Sequence, residues 1–439
     1  MLYASVRGVL RLALRLFYRL EVAGAGFPAA GPLLLVGNHP NALIDPALLL
    51  AVCPRPLTFL AKAPLFRMPV LGALLRGLGA LPVQRRQDGA RDAGANAAVL
   101  EVATRALGAG RAMAIFPEGK SHSDPHLAEM KTGAARMALG AGTAVQVVPV
   151  GLTYGEKGRF RSTVRVEVGA PLEVPATPEP SASDVRALTA RIGAALRAVT
   201  LELDAWEDLP VIATAEALYA LRTAAPAEDA ERRRLFARGM ALLREEQPER
   251  YTALRTEVAA LSRRLELLRA APEDVAVNYR PATVARFIGR NLAAVLFGLP
   301  LALVGLAIFG PWTLAVRGAL LAARVDADMR ATVKLLASLV LGPVYVLALA
   351  AAAWRWLGFP WALGLVAAAL PLALFTRTFV RRRREALRDT RLFFLLGNRS
   401  RAKEQLLSQG RSLAERIEAV AEEIRPRVSG AGAQPPAAP

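Results

Sequence analysis

Cysteine and histidine are nearly absent from this 439-residue chain, which has one cysteine, Cys53, and three histidines. A lone cysteine excludes an intramolecular disulfide and any zinc site built from cysteines, and so few histidines argue against a structural metal. Acidic residues are outnumbered, with 37 Asp plus Glu against 56 Lys plus Arg, a formal net charge of +19. Aromatic residues are only 6% of the chain. The arginines lie beside apolar runs, without the aromatic-lined basic groove of a nucleic-acid binder, so no nucleic-acid partner is expected. What is abundant is apolar: 54% of residues are hydrophobic, far too many for a disordered scaffold. A chain both basic and oily suits an anionic membrane surface. The length allows two or three domains.

Residues 1–22 place Arg7, Arg11, Arg15 and Arg19 four apart, on one face of a helix, with Leu10, Leu14 and Phe17 among the apolar positions around them. The arginines interrupt the apolar stretch a signal peptide needs, despite the Ala23-Gly24-Ala25 triplet. We read an amphipathic interfacial helix, apolar face toward lipid and arginines toward anionic headgroups. The plainer alternative is a surface helix docked on its own domain.

Residues 23–205 alternate short apolar runs with helical patterns, which predicts an α/β domain. PLLLVGN, AMAIFPEG and AVQVVPVGLTY read as buried strands, and ANAAVLEVATRAL and EMKTGAARMALGAG as helices. After the Pro/Ser-rich ATPEPSASD, Ser183 is a candidate cap for a helix beginning near Asp184. Residues 206–285 are polar, charged and helical, an arm whose residue types demand no chemistry. Within 286–393, three uncharged apolar runs (Asn291 to Phe309, Leu335 to Ala353, Trp361 to Leu374) approach the length of a membrane span, with tryptophans at their ends. The Arg381–Arg384 run marks the cytoplasmic side, and Arg317, Arg324, Arg330 and Lys334 put 310–334 there too, making spans two and three a hairpin. Gly298, Pro300 and Gly310-Pro311 leave open whether the first run crosses or re-enters. Residues 394–439 should be a charged helix and a disordered tail.

Chemistry concentrates where strands end. His39 follows an apolar run in GNHPNALIDP, with Asp45 after five intervening residues. A histidine that takes a proton from an alcohol needs a carboxylate on its second nitrogen to fix its tautomer. Glu118 and Gly119 sit in FPEGKS, Lys62 in AKAPLF, and Arg85 and Arg86 in GALPVQRR. Such cations suit a phosphate. His122 and Asp124 are further candidates in the third block; His126 reads as surface and Cys53 as core.

In this order the elements resemble the glycerolipid acyltransferases of the bacterial lysophosphatidate-acyltransferase superfamily: NHPNALID, GALPVQR, FPEGKS and VVPVGL match its four blocks. The commonest form has four residues between His and Asp; this sequence has five. With FPEGKSHSDPHLAEMKTGAARMALGA and FRSTVRVEVGAP, that variant looks like the fungal-type glycerol-3-phosphate/dihydroxyacetone-phosphate acyltransferases. The resemblance implies an enzyme without metal or cofactor, transferring an acyl group from acyl-CoA or acyl carrier protein to glycerol 3-phosphate or dihydroxyacetone phosphate. Lysophosphatidate is the alternative acceptor. It further implies His39 as general base, Asp45 as its orienter, Glu118 on the acceptor's hydroxyl, Lys62 and Arg85 on the phosphate, and oxyanion donors near Gly119. The cytoplasmic membrane is the expected location, active site facing the cytoplasm. A catalytically silent membrane lipid-binding module would keep the fold but has no need of this histidine and its carboxylates.

Overall fold

The computed structural model describes residues 2–83, 93–225, 230–277, 280–324, 329–397 and 401–430. The chain divides into two compact units, one built mainly from Met1–Glu202 with a short return segment ending at Leu335, the other from Leu203–Arg324 and Leu336 onward.

The first unit is an eight-stranded sheet with helices on both faces. Its elements are α1 (Leu2–Phe17), β1 (Tyr18–Gly24), β2 (Leu33–Gly37), α2 (Ile44–Val52), β3 (Leu57–Lys62), α3 (Pro69–Gly77), β4 (Leu81–Val83) and α4 (Ala93–Gly108). There follow β5 (Ala112–Ile115), α5 (Gly133–Leu139), β6 (Val145–Tyr154), β7 (Ser162–Val168), β8 (Leu172–Val174) and α6 (Ala182–Val199). The strand order is β1-β7-β6-β2-β5-β3-β4, with β8 also on β6. From β6 to β4 all neighbours run parallel, and only β7 and β8 lie antiparallel to β6.

The run Leu33–Gly37 is continuously apolar because both its faces are covered. Leu33 and Leu35 pack with Leu49 and Leu50 of α2, while Leu34 and Val36 pack with Ala103 and Leu107 of α4 and with α5 and α6. The two-residue alternation of a strand thus sorts one apolar run into two cores. The capping residue of α6 is Ser181, in a capping box with Asp184, not Ser183. Ser183 instead shares a hydroxyl bond with Ser181.

Residues 1–22 depart from the interfacial-helix expectation. The helix stops at Phe17, and Tyr18 opens a strand paired with β7. Leu14, Phe17 and Tyr18 are buried against Ile44, Leu48 and Ala51, and Arg7 donates to the carbonyls of Leu50 (3.1 Å), Cys53 (2.6 Å) and Pro54 (3.2 Å). Those are carbonyls at the C-terminal end of α2, where a guanidinium is electrostatically favoured. The apolar face is taken by protein; Val9, Leu12, Arg11 and Arg15 stay exposed.

The second unit holds α7 (Asp208–Thr223), α8 (Ala230–Glu246), α9 (Pro248–Leu268), α10 (Pro272–Ala276), α11 (Pro281–Ala322), α13 (Phe359–Leu395), α14 (Arg401–Gly430), and most of α12 (Arg330–Leu357). The charged C-terminal helix is not a separate appendage. Leu406, Leu413, Ala414 and Ile417 of α14 share a core with Val211, Leu218, Val258 and Leu261, so the arm is completed by a distant segment. The tail beyond 430 lies outside the described residues.

Helices α11, α12 and α13 are long and apolar enough to cross a membrane. Large side chains such as Phe297, Leu303, Leu347, Trp356 and Leu370 are exposed along them, as a lipid-facing surface would be. Helix α11 runs unbroken through Pro300 and Pro311, with no turn inside the first run. Its closely packed partner is α13 rather than a hairpin between the second and third runs. Gly298 lies under Phe379, Gly305 under Thr376, and Arg383 donates to the carbonyl of Asn291. A Cβ on Gly305 would lie 1.9 Å from Thr376 Oγ1. With Ala302 between them, the small residues let two antiparallel backbones approach.

Replacing Arg7 by Ala should cost about 2 kcal/mol, because three carbonyls lose a charged donor. The fall in melting temperature should be clear beside Arg11→Ala, an exposed control expected to stay within about 0.5 kcal/mol.

Candidate active site

Five parallel strands end at one edge of the sheet, where α/β proteins build their sites. β2 leads into the His39 loop, β5 into the Glu118 loop, β3 ends at Lys62, and β6 ends at Tyr154. His39 and Asp45, six positions apart in sequence, meet because the chain turns between β2 and the first turn of α2. Ala42 takes a left-handed φ of 37° in that turn, uncommon for a residue with a Cβ.

His39 Nδ1 lies 2.8 Å from Asp45 Oδ2. The same oxygen accepts the Asn41 backbone N–H at 2.6 Å, and Asp45 Oδ1 accepts the Tyr154 hydroxyl at 2.5 Å. Asp45 is completely buried, so each lone pair it turns inward needs a donor. As Asp45 is the acceptor throughout, Nδ1 carries the imidazole proton and Nε2 keeps the basic lone pair. Among the described residues Nε2 has no hydrogen-bond partner. The ring is stacked on Phe116 at 4.2 Å between centroids, which fixes its plane. Burial and the neighbouring Asp45 charge push the Tyr154 phenol well above its ordinary pKa, so it stays a donor; burial likewise raises Tyr18.

Tyr18 donates to the Lys157 carbonyl at 2.5 Å and accepts from Asn41 Nδ2 at 3.3 Å. Asn38 ties its loop to β6, accepting from Leu152 N–H at 2.7 Å and donating to Leu152 C=O at 3.0 Å. Tyr154, Asn41 and Tyr18 escaped the sequence reading. The sole signal for Tyr154 is a hydroxyl at the end of a buried apolar strand.

Glu118 is brought to His39, but with its carboxylate occupied by protein. Oε1 accepts the His39 backbone N–H at 2.8 Å, Oε2 accepts the Ala128 N–H at 2.8 Å, and His122 Nε2 also bonds Oε2. His122 in turn donates its backbone N–H to His39 C=O at 3.1 Å, and its Nδ1 lies 3.1 Å from Asp124. Glu118 therefore clamps two loops together.

Gly119 has φ +72° and donates its N–H to Phe116 C=O at 3.0 Å, so that N–H is not the expected oxyanion donor. Lys131 folds over Gly119, filling the space of a Cβ. Lys62 is exposed at the same sheet edge, two strands from β2, without contact to the dyad. Arg85 and Arg86 lie outside the described residues. Two cations after β6 are engaged elsewhere: Arg159 pairs with Glu156, and Arg161 donates to the Arg15 carbonyl. No group of three or more metal-ligating side chains occurs among the described residues.

Residues 19–153 match the model of the Acyltransferase family, a stretch that includes the dyad, the Glu118 loop and Tyr18's neighbours up to the last residue before Tyr154. Over 117 residues the chain is 32% identical to glycerol-3-phosphate O-acyltransferase 1 of Saccharomyces cerevisiae, covering 24% of this chain and 15% of the yeast protein. Among solved structures, the 1-acyl-sn-glycerophosphate (LPA) acyltransferase PlsC from Thermotoga maritima is 23% identical, over 45% of this chain and 78% of that one, with a TM-score of 0.35. The matched stretch is thus a small part of the yeast relative's length. Residues 19–153 hold the strands and loops that assemble the His39–Asp45 dyad, and this part of the chain is an acyltransferase domain.

Proposed function

We propose that this protein is a membrane-bound acyltransferase that moves a fatty acyl group from acyl-CoA or acyl carrier protein to the sn-1 hydroxyl of glycerol 3-phosphate, with dihydroxyacetone phosphate also accepted. The observation that carries this is the dyad: a histidine whose Nδ1–H is held by a buried carboxylate and whose Nε2 has no hydrogen-bond partner among the described residues. No serine or cysteine is needed beside it, because the acceptor's own hydroxyl supplies the nucleophile.

Nε2 takes the proton as the acceptor oxygen attacks the thioester carbonyl carbon. The tetrahedral oxyanion then collapses, the C–S bond breaks, and the imidazolium returns the proton to the leaving thiolate. The ester forms and the thiol departs without a covalent enzyme intermediate. Asp45 holds the tautomer and stabilises the imidazolium. Glu118, with both oxygens engaged by protein, positions the His39 loop. Lys62 and Arg85 remain our candidates for the acceptor phosphate, joined by the exposed Lys120 beside Gly119. Cations around a polar edge suit a small dianion drawn from solution better than an acceptor that already carries a chain. The activity in the yeast relative's name agrees with that choice.

We place the protein in the cytoplasmic membrane with the site on the cytoplasmic side, where both donors are made.

His39→Ala should lower acyl transfer by about 10²–10⁴-fold with membrane insertion intact, and Asp45→Asn should cost nearly as much. Retention of more than about a tenth of the wild-type rate by His39→Ala would remove it as the base. In an acceptor panel with labelled acyl-CoA, product should form from glycerol 3-phosphate. Product from lysophosphatidate alone would move the protein to the second acylation step. Arg85→Ala and Lys62→Ala should raise the acceptor KM and leave the donor KM near wild type. In a Cys53→Ala background, a cysteine at position 200 should label from the cytoplasmic side, and cysteines at positions 286 and 385 should label from the same side as each other; labelling of position 200 only from the far side contradicts the placement.

A further inference from the structure

Tyr154 gives its hydroxyl proton to Asp45 Oδ1, at 2.5 Å, while Oδ2 serves the His39 ring and the Asn41 backbone. The donor has little freedom. Its backbone is paired with Val164 in the last register step of β6 on β7. Its ring stands edge-on to Tyr18 at 5.7 Å between centroids and packs against both cores to which α2 contributes.

The available protons fix the direction of the bonds around it. Tyr18 gives its proton to the Lys157 carbonyl and Tyr154 gives its own to Asp45, so both oxygens can only accept from Asn41. The Asn41 amide accordingly turns Nδ2 toward them, 3.3 Å from the Tyr18 oxygen, and bonds the Tyr154 hydroxyl as well. Its Oδ1 is left buried and, among the described residues, without a hydrogen-bond partner. An orphaned buried acceptor is unfavourable. Turning the amide round would be worse, because Oδ1 would then face two oxygens whose protons are committed elsewhere. The fold tolerates one unpaired oxygen and keeps Tyr154 donating. A hydroxyl that accepts one bond donates a stronger one.

We propose that Tyr154 is a positioning residue for the dyad, fixing which Asp45 oxygen faces His39 and setting the basicity of Nε2. This rests on the reading of His39 as the base. Held at Oδ1, the carboxylate cannot swing its two oxygens past the ring. The bond also draws negative charge toward Oδ1, away from the imidazole. Without it, Asp45 is compensated chiefly by an imidazolium, and the pair holds its proton to higher pH. A base acts only when free of its proton at the working pH. The other ionisable groups around the pair are Tyr18 beyond Asn41, and Glu118, His122 and, through His122, Asp124 on the loop after β5. All are common to the proteins compared below, so differences between those proteins report Tyr154.

The test uses the full-length protein in nanodiscs of phosphatidylcholine and phosphatidylglycerol, with carbon-13 at Cε1 of histidine. The chain has three histidines; His39→Ala identifies one resonance, and the exposed His126 is the internal reference. In Tyr154→Phe the His39 resonance should titrate about one pH unit above wild type. Acyl transfer should lose about ten- to a hundredfold in kcat, with its acid limb moved up in parallel. A ring-fluorinated tyrosine at position 154, a stronger donor of nearly the same size, should move the His39 titration down. A change in packing does not produce opposite shifts from weakening and strengthening one bond. If Tyr154→Phe melts well below wild type, the fluorotyrosine protein decides alone. Titration of His39 as in wild type in both proteins, or shifts of the same sign, would overturn the proposal. If His39→Ala keeps its acyl transfer, the function proposed above fails, and the titration still decides the effect of Tyr154 on His39.

Discussion

A carboxylate with no solvent contact must find all its hydrogen-bond donors inside the protein, and Asp45 sets that requirement for the edge of the sheet where β2 and β6 end. Its donors come from three places: the His39 ring, the Asn41 backbone and the Tyr154 hydroxyl. They can converge only if β2, the turn through Ala42, the start of α2 and the end of β6 keep one relative geometry. The requirement spreads outward, since Asn41 also bonds Tyr18, whose hydroxyl reaches the loop after β6. The histidine is thus oriented by a network reaching across β2 and β6 to β1.

Glu118 repeats the device on the other side of His39. It too is buried, and its donors tie the loop after β5 to the loop after β2 and to the segment leading into α5. Two buried carboxylates therefore hold His39 from opposite ends, one at the ring and one at its backbone. The exposed Lys62 and Lys120 lie at the same edge of the sheet, at the ends of the strands that carry these loops.

The apolar helices obey a different rule. In lipid there is no hydrophobic gain from pairing helices, so close packing has to supply the attraction. Gly298, Ala302 and Gly305 provide it on α11, and the aromatic rings and Thr376 of α13 fill the groove they leave. Arm and membrane region share a logic of borrowed completion: α14, last in the chain, closes a bundle begun almost two hundred residues earlier.

By itself the sequence determined the α/β alternation, the central strands β2, β5 and β6, the three apolar helices, and the identities of His39, Asp45 and Glu118. Each of these rests on local pattern: apolar period, length, or residue types at fixed spacing. What it could not determine was which groups would share an acceptor. Tyr154 lies 109 positions from the carboxylate it serves, and nothing in its neighbours marks it. Arg7 looked like one of four lipid-facing arginines until α2 placed three carbonyls within its reach. Glu118 read as a substrate contact because a free carboxylate and a fully bonded one are the same letter. Hydrogen bonding and close packing are satisfied between segments brought together only by the fold, so those roles belong to the tertiary structure alone.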